Sequence, residues 1–355
     1  MPAYIDKKLG AASDPATPMS ELAVLSQSKY PMVRHRVAAN TSAPVAVLLI
    51  LAKDKTRFVR AGAAGNFGMP PYVLSALAQD EYWPVRQGVA GNQSAPWSTL
   101  AELIEDEDED VREAAAANPN VPLSELVRLA DSEDQAVRKG VADNPSSPAE
   151  VLIELARDWA EEVRQLVALN PHTPVDTLFQ LAADEEAPVR EWVACNISAP
   201  LEVLSNLAKD EEGFVRSAVA SNQKTPAVAL LALVGDEEEF VRVVAAKNPA
   251  LSARALAELG DDPDFVVRCQ VAVFDRTPVK VLDKLVDDPV SVVRASAATN
   301  GRTPIKAIAR LAGDRDLAVQ RALADNPRTP RRVLKGLLAT AQGETWEKAS
   351  QRLRP

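Results

Sequence analysis

Apolar residues in this chain fall into two short stripes that alternate in a fixed rhythm. In residues 163–188, V-R-Q-L-V-A-L-N-P-H-T-P-V-D-T-L-F-Q-L-A-A-D-E-E-A-P, Val163 is taken as position 1. Positions 1, 5 and 6 (Val163, Val167, Ala168) then share one helical face. Positions 15, 16, 19 and 20, seen most clearly in Val151, Leu152, Leu155 and Ala156, form a second stripe of helical period. Between the stripes stand Asn-Pro, which stops a helix because the residue before proline is pushed out of the helical region, and Thr-Pro or Ser-Pro, which starts one. Carboxylates such as Asp236 to Glu239 precede the first stripe, where they suit a helix N-terminus. The pattern predicts helix, turn, helix. Ser147 and Thr173 are expected to cap the second helix through their hydroxyls with proline at its first position, and Ser147 with Glu150 fits a capping box.

The same pattern returns every 26 residues. Valine stands at 33, 59, 85, 111, 137, 163, 189, 215, 241, 267, 293 and 319, twelve copies without insertion or deletion. Position 6 is always Ala and position 19 always Leu. Position 2 is Arg except at Gln320, position 8 Asn except at Phe274, position 12 Pro except at Ser252, and position 22 Asp except at Ser132 and Thr340. A fixed period of this length means that each repeat buries its apolar face only by stacking on its neighbours, so an all-α solenoid is expected. It should form a single domain over residues 1–355: a degenerate capping repeat at 8–32, twelve repeats over 33–340, and a capping helix with a frayed basic end at 341–355. In the opening repeat Asp14, Pro18, Leu22 and Leu25 hold positions 8, 12, 16 and 19.

The invariant residues read as architecture. Burying each position-19 leucine is worth roughly 1.5–3 kcal/mol. Gly62, Gly88 and Gly140, at position 4, mark places where a neighbouring helix comes too close for a larger side chain, and Trp192 at the same position reads as a local packing adjustment. Position-22 Asp and the next Arg lie six residues apart, as Asp54 with Arg60 and Asp210 with Arg216. A ladder is expected from Asp54, Asp184 and Asp210 and from Arg60, Arg164 and Arg216, each guanidinium bridging carboxylate and carbonyls. Asn66, Asn170 and Asn222 should satisfy loop backbone groups buried between layers.

The pattern V-R-x-x-V-A-x-N-P-x-T-P-x-x-V-L-x-x-L-A-x-D resembles the leucine-rich repeat variant family, and its Asp-x5-Arg spacing is similar to that of HEAT-like repeats. The resemblance covers about residues 8–340. It implies a right-handed superhelix of paired short helices, one of them α or 3₁₀. Some members of that family carry an N-terminal iron–sulfur segment with clustered cysteines; residues 1–32 contain no cysteine, so neither cluster nor redox role is carried over.

Candidate chemistry is sparse, and no catalytic, cofactor or metal residue is assigned. His35 and His172 lie more than five repeats apart, in no triad or metal-binding spacing. Gly62, Gly65 and Gly68 have no preceding strand and no Gly-Lys-Ser/Thr, which argues against a phosphate loop. The acidic run Glu105 to Asp110 lacks the Gly and distal Glu of a calcium loop. Cys195 and Cys269 form no metal-ligand pair, and the usage suits a reducing compartment. No stretch of 18 apolar residues occurs and the start has no apolar leader segment, so a soluble cytoplasmic protein is expected. A deep pocket with clustered carboxylates would be the mark of an enzyme.

Charge changes this picture more than composition does. The net charge of −10 argues against generic binding to nucleic acid or anionic membrane, yet it is unevenly spread. Residues 250–355 hold 18 basic and 13 acidic side chains, against 22 and 37 before them. Position 14 should project from a continuous face with positions 17 and 18. It runs Ala46, Tyr72, Ser98, Ser124, Glu150, Asp176, Glu202, Val228, Arg254, Lys280, Lys306, Arg332. The basic end reads either as ordinary surface drift or as a binding strip for an acidic protein. Nucleic-acid phosphates are the lesser alternative, for which HEAT-like DNA glycosylases are an architectural analogy. Tyr72, Tyr82, Trp83 and Trp97 form a second candidate patch, either partner hot spots or packing at turns. These features predict a non-enzymatic protein-interaction scaffold, a monomer with a protein partner and no cofactor or membrane. The competing reading is a nucleic-acid-binding or base-processing protein using Arg254, Lys280, Lys306 and Arg332. Between Asn248 and Phe274, where Pro and Asn are both lost, an irregular turn or a change of curvature is expected.

Overall fold

The computed structural model describes residues 3–354; Met1, Pro2 and Pro355, the ends of the expected single domain, lie outside them. The described residues form 27 α-helices and one 3₁₀ turn, with no strand. The chain divides into two compact units, Met1–Leu181 and Ala182–Pro355. The first holds an opening helix pair, Ala3–Ser13 and Met19–Leu25, and six repeats; the second holds six repeats and a closing helix, Gly343–Leu353.

Each repeat is an antiparallel pair: an A helix of eight or nine residues, such as Arg57–Ala64 or Gly213–Ser221, and a B helix usually of seven, such as Pro71–Leu77 or Leu201–Leu207. Both helices are α. The 3₁₀ alternative appears at Leu311–Gly313, at the end of the B helix Ile305–Arg310. Position 1, 5 and 6 side chains of A pack against position 16 and 19 leucines of B; Val137 and Leu155 are at most 3% exposed and Val141, Ala142 and Leu152 are wholly buried. Within each unit, successive A helices lie closely against each other while successive B helices barely touch. That is why position 6 is always Ala and why position 4 is Gly in three copies, at Gly62, Gly88 and Gly140. A Cβ on Gly140 would sit 2.4 Å from the Glu113 carbonyl oxygen and 2.6 Å from the Ala116 Cβ.

The start of helix B differs from expectation. Proline is the cap residue, with extended backbone (Pro44 φ −62°, ψ 145°), and its carbonyl takes the first helical bond, Leu48 N–H to Pro44 O at 3.0 Å. The preceding hydroxyl turns the other way. Thr173, Thr225, Thr277 and Ser147 each donate at 2.5 Å to the carbonyl six residues earlier, at the end of helix A. The hydroxyl thereby satisfies an orphan C=O of the A helix rather than an orphan N–H of the B helix, and Ser147 and Glu150 form no capping box. Where proline is missing, Ser252 does cap, accepting from Ala255 N–H at 3.2 Å.

The turn expected to be irregular is regular. Leu251 N–H still bonds Asn248 O, and Thr277 N–H bonds Phe274 O, both at 3.1 Å as in the other repeats. The backbone turn carries its own hydrogen bonds, so Ser252 and Phe274 alter side-chain links and leave these turn bonds in place. The closing helix is likewise anchored rather than frayed. Arg352, 26 residues after Asn326, donates to Ala324 O and Pro327 O, both at 2.9 Å, and Lys348 pairs with Asp325 at 2.8 Å.

Candidate interaction surfaces

Two polar ladders run at opposite edges of each unit. At the edge where helix B turns into helix A, arginine is held in a register other than the one its spacing suggested. Arg60 sends Nε and Nη2 to the two oxygens of Asp80, 20 residues on, at 2.6 and 2.9 Å, while Nη1 donates to the Asp54 carbonyl six residues back at 3.0 Å. Asp54 gives its carboxylate to Arg34 at 2.6 Å. The expected Asp54–Arg60 rung is therefore a bond to the backbone, because Asp54 and Arg60 flank one turn and the guanidinium reaches forward to the next. The geometry repeats in Arg86–Asp106 and Arg138–Asp158 in the first unit, and in Arg190–Asp210, Arg216–Asp236, Arg242–Asp262, Arg268–Asp288 and Arg294–Asp314 in the second, at 2.6 to 2.7 Å. Arg164 donates to the Asp158 carbonyl, and Asp184 accepts Arg190 through its own.

Bidentate bonding of this kind is charge-assisted and sets pKa values. The Arg34 guanidinium holds the Asp54 carboxyl below its ordinary value against the opposing pull of burial. At Asp80, burial would raise the value, but the bonds from Arg60 and the Tyr82 N–H, together with the nearby arginine charges, bring it below. Arg60 and Arg216 are raised in turn, chiefly by their carboxylate bonds.

At the other edge, where A turns into B, asparagine serves as a two-way bracket. Asn66 Nδ2 donates to Ala38 O and Asn40 O at 2.8 and 2.9 Å, and its Oδ1 accepts from Gly68 N–H at 2.9 Å. Asn170 and Asn222 do the same toward Ala142 and Asn144 and toward Ala194 and Asn196. Asp14 can replace Asn at the start because it keeps the acceptor half, taking Ala16 N–H at 2.8 Å.

The remaining sequence candidates divide by exposure. All twelve position-14 side chains are exposed. The aromatic quartet is not one patch. Tyr72 and Trp97 stand at the starts of B helices, whereas Tyr82 and Trp83 begin the A helix Trp83–Ala90 at the opposite edge. Antiparallel pairing separates them by the length of a helix. Arg57 lies over the Tyr82 ring, 4.5 Å from its centroid, so Tyr82 is part of the turn, while Tyr72 is 69% exposed. Trp192 is half exposed on its A helix.

Arg254, Lys280, Lys306 and Arg332 all lie in the second unit. Arg254 pairs with Glu258 at 3.1 Å; among the described residues Lys280, Lys306 and Arg332 form no ion pair. Their edge also carries three cations that position 14 did not reveal: Arg276, Arg302 and Arg328, all exposed, at position 10 of successive repeats. Reading position 10 down the copies would have found them.

Clefts between repeats are open and lined by ladder residues, as at Gly260, Asp262, Arg268, Lys284 and Asp288. Their carboxylates are engaged: Asp262 by Arg242 and Asp288 by Arg268. His35 Nδ1 meets the Phe58 carbonyl at 2.8 Å, and His172 sits in a turn. Among the described residues no group of three His, Cys, Asp or Glu is placed to hold a metal, and no helix is long and apolar enough to cross a membrane.

A family model described as leucine rich repeat variant matches residues 161–186. A solved structure described as a leucine-rich repeat variant with a novel repetitive structural motif is 32% identical, with 62% of this chain and 87% of that one aligned and a TM-score of 0.41. The chain belongs to the leucine-rich repeat variant family. Its repeat framework is the pair of ladders with the position-6 and position-19 core. An engineered protein aligns at 20% identity over 94% of this chain and 98% of its own, TM-score 0.24. Importin beta aligns at 12% identity over 99% of this chain and 60% of its own, TM-score 0.34. No curated protein matches the sequence.

Proposed function

We propose that this leucine-rich repeat variant protein is a non-enzymatic scaffold that binds a protein partner along its B-helix face, acting as a monomer in the cytoplasm. The observation that carries the reading is a recurrent row of exposed apolar side chains on helices whose conserved positions are otherwise buried. In the first unit these are Val45, Tyr72, Leu123 and Val175; in the second, Leu201, Val228, Val279 and Ile305, with Val228 82% exposed. Six of these stand at position 13 and two, Tyr72 and Val228, at the neighbouring position 14, so within each unit they line the starts of successive B helices and add up to a contact surface, whereas scattered side chains do not. The engaged carboxylates of the clefts leave little for acid–base chemistry, and the free thiols Cys195 and Cys269 fit a reducing compartment.

Photo-crosslinking residues placed at Tyr72 and at Val228 test the proposal. The protein they capture is purified and titrated against the wild type and against Val228→Glu by calorimetry. Binding weakened at least about tenfold by Val228→Glu supports the B-helix face. Crosslinks no different from those of a reporter on the exposed Lys55, or binding indifferent to Val228→Glu, would overturn it.

A further inference from the structure

We propose that the A-to-B turn edge of the second unit binds an extended acidic segment of a partner protein through two rows of cations: Arg276, Arg302 and Arg328, and beside them Arg254, Lys280, Lys306 and Arg332. The inference rests on the scaffold reading and names the chemistry of one partner region.

Position 10 has a structural task that does not require arginine. In the first unit Ser42 donates to Pro15 O at 2.7 Å, Ser94 to Phe67 O at 3.1 Å and Asn120 to Gln93 O at 2.7 Å, each tying its turn to the turn before. In the second unit Arg302 makes the equivalent bond to Asp275 O at 2.9 Å and Arg328 to Gly301 O, while Arg276 reaches Leu251 O, two residues further on in the preceding turn, as Asn120 also reaches Ala95 O at 3.0 Å. A hydroxyl suffices for that link. Each guanidinium brings five donors and a permanent charge, and spends one donor on the turn. The tether also fixes the side chain, so less rotamer freedom is lost when an anion is gripped.

Charge is sorted between the two edges of these repeats. Asp261, Asp283 and Asp287 lie at the B-to-A edge, where Lys284 and Arg310 take them. Asp262, Asp288 and Asp314 lie there too, inside the arginine ladder. At the A-to-B edge of the repeats that carry these cations the described acidic side chains are Asp275, Asp325, held by Lys348 at 2.8 Å, and Glu258, which pairs with Arg254 at 3.1 Å; Glu202 lies at the start of the unit, away from them in sequence. The cations of this edge therefore face solvent with little to neutralise them. Such a surface attracts and orients an acidic partner.

Spacing favours a peptide. Repeats stacked at helix-packing distance place like side chains about 10 Å apart, close to three residues of extended chain at about 3.3 Å each. Carboxylates at every third residue would meet one repeat each. Sequence-tolerant grip on single-stranded nucleic acid uses aromatic side chains on which bases stack, and positions 10, 13 and 14 of the repeats from Arg276 to Arg332 contain none.

The test is fluorescence anisotropy with a labelled peptide carrying glutamate at every third residue, a lysine version of it, and single- and double-stranded DNA, at low and moderate salt. The protein is the full chain, as wild type, as the triple variant Arg276→Ser, Arg302→Ser, Arg328→Ser, and as an equal-charge control with Arg36, Lys53 and Lys55 changed to Ser. Serine is the residue other copies use at position 10, and circular dichroism checks that the fold is kept. The expected result is salt-sensitive binding of the acidic peptide, weakened about tenfold or more by the triple variant and less than about twofold by the control. No binding of the acidic peptide, equal loss in both variants, or tighter binding to DNA overturns the proposal. If the partner captured at Val228 still binds the triple variant fully, the edge proposal fails and the scaffold reading stands; if no partner is captured there, the scaffold reading fails.

Discussion

Replacing Arg60 by Met and Asp80 by Leu, singly and together, tests the register of the arginine ladder. Arg60 loses two bonds to Asp80, at 2.6 and 2.9 Å, and one to the Asp54 carbonyl. Asp80 loses those two and the Tyr82 N–H at 3.0 Å. The side chains are 15% and 9% exposed, so either single change strands a largely desolvated charge. Each should cost about 3 kcal/mol, at the low end for breaking a buried pair because the rung lies close to the surface. The double variant strands no charge but leaves the Asp54 carbonyl and the Tyr82 N–H without their partners; at about 1.5 kcal/mol each it should cost about 3 kcal/mol, leaving a coupling near 3 kcal/mol. Arg60→Met with Asp54→Asn should couple by less than about 0.5 kcal/mol, because Arg60 touches the Asp54 backbone and not its carboxylate. A repeat array need not unfold in one step, so the free energies are best taken from native-state hydrogen exchange of the helices Arg57–Ala64 and Trp83–Ala90. A coupling with Asp54 as large as that with Asp80, or none with either, would refute the 20-residue register.

Gln320 and Thr340 occupy the last rung without charges, and Gln320 Oε1 is buried with no partner; the double change Gln320→Arg with Thr340→Asp should raise the exchange protection of helix Leu317–Asp325, by about 1 kcal/mol, whereas Gln320→Arg alone should not. Gly140→Ala should destabilise its repeat by about 1–3 kcal/mol, while Gly301→Ala, with nothing within 4 Å of the new Cβ, should change stability by less than about 0.5 kcal/mol; thermal melts compare the two. Asp54 and Asp314 are held below the ordinary carboxylate value by Arg34 and Arg294. Their contribution is therefore complete above the unfolded value near 3.9 and lost as pH falls through the lower folded value, so acid unfolding should set in below about pH 4 and shift upward in Asp54→Asn.

The helices, their faces and the period were legible because local rules and repetition agree in every copy. What could not be read was which aspartate each arginine grips. With a period of 26, an Asp six residues before an Arg implies another 20 residues after it, so the regular copies cannot distinguish the two pairings. The irregular copies can. If Arg paired six residues back, Ser132 would strand Arg138 and Gln320 would strand Asp314. Paired 20 residues forward, Gln320 and Thr340 drop out together as one rung, and Ser132 strands Arg112 alone, which the structure pairs with Asp134. The departures from the consensus thus carried the register that the consensus concealed. The same holds for the exposed surface: Arg276, Arg302 and Arg328 stand where Ser42, Ser94 and Asn120 show that the fold needs only a small polar group. Position 14 drew attention because it had no structural task, and position 10 escaped because it had one. A residue that exceeds its structural task becomes visible only when the bond it makes is seen beside the smaller side chain that makes it elsewhere.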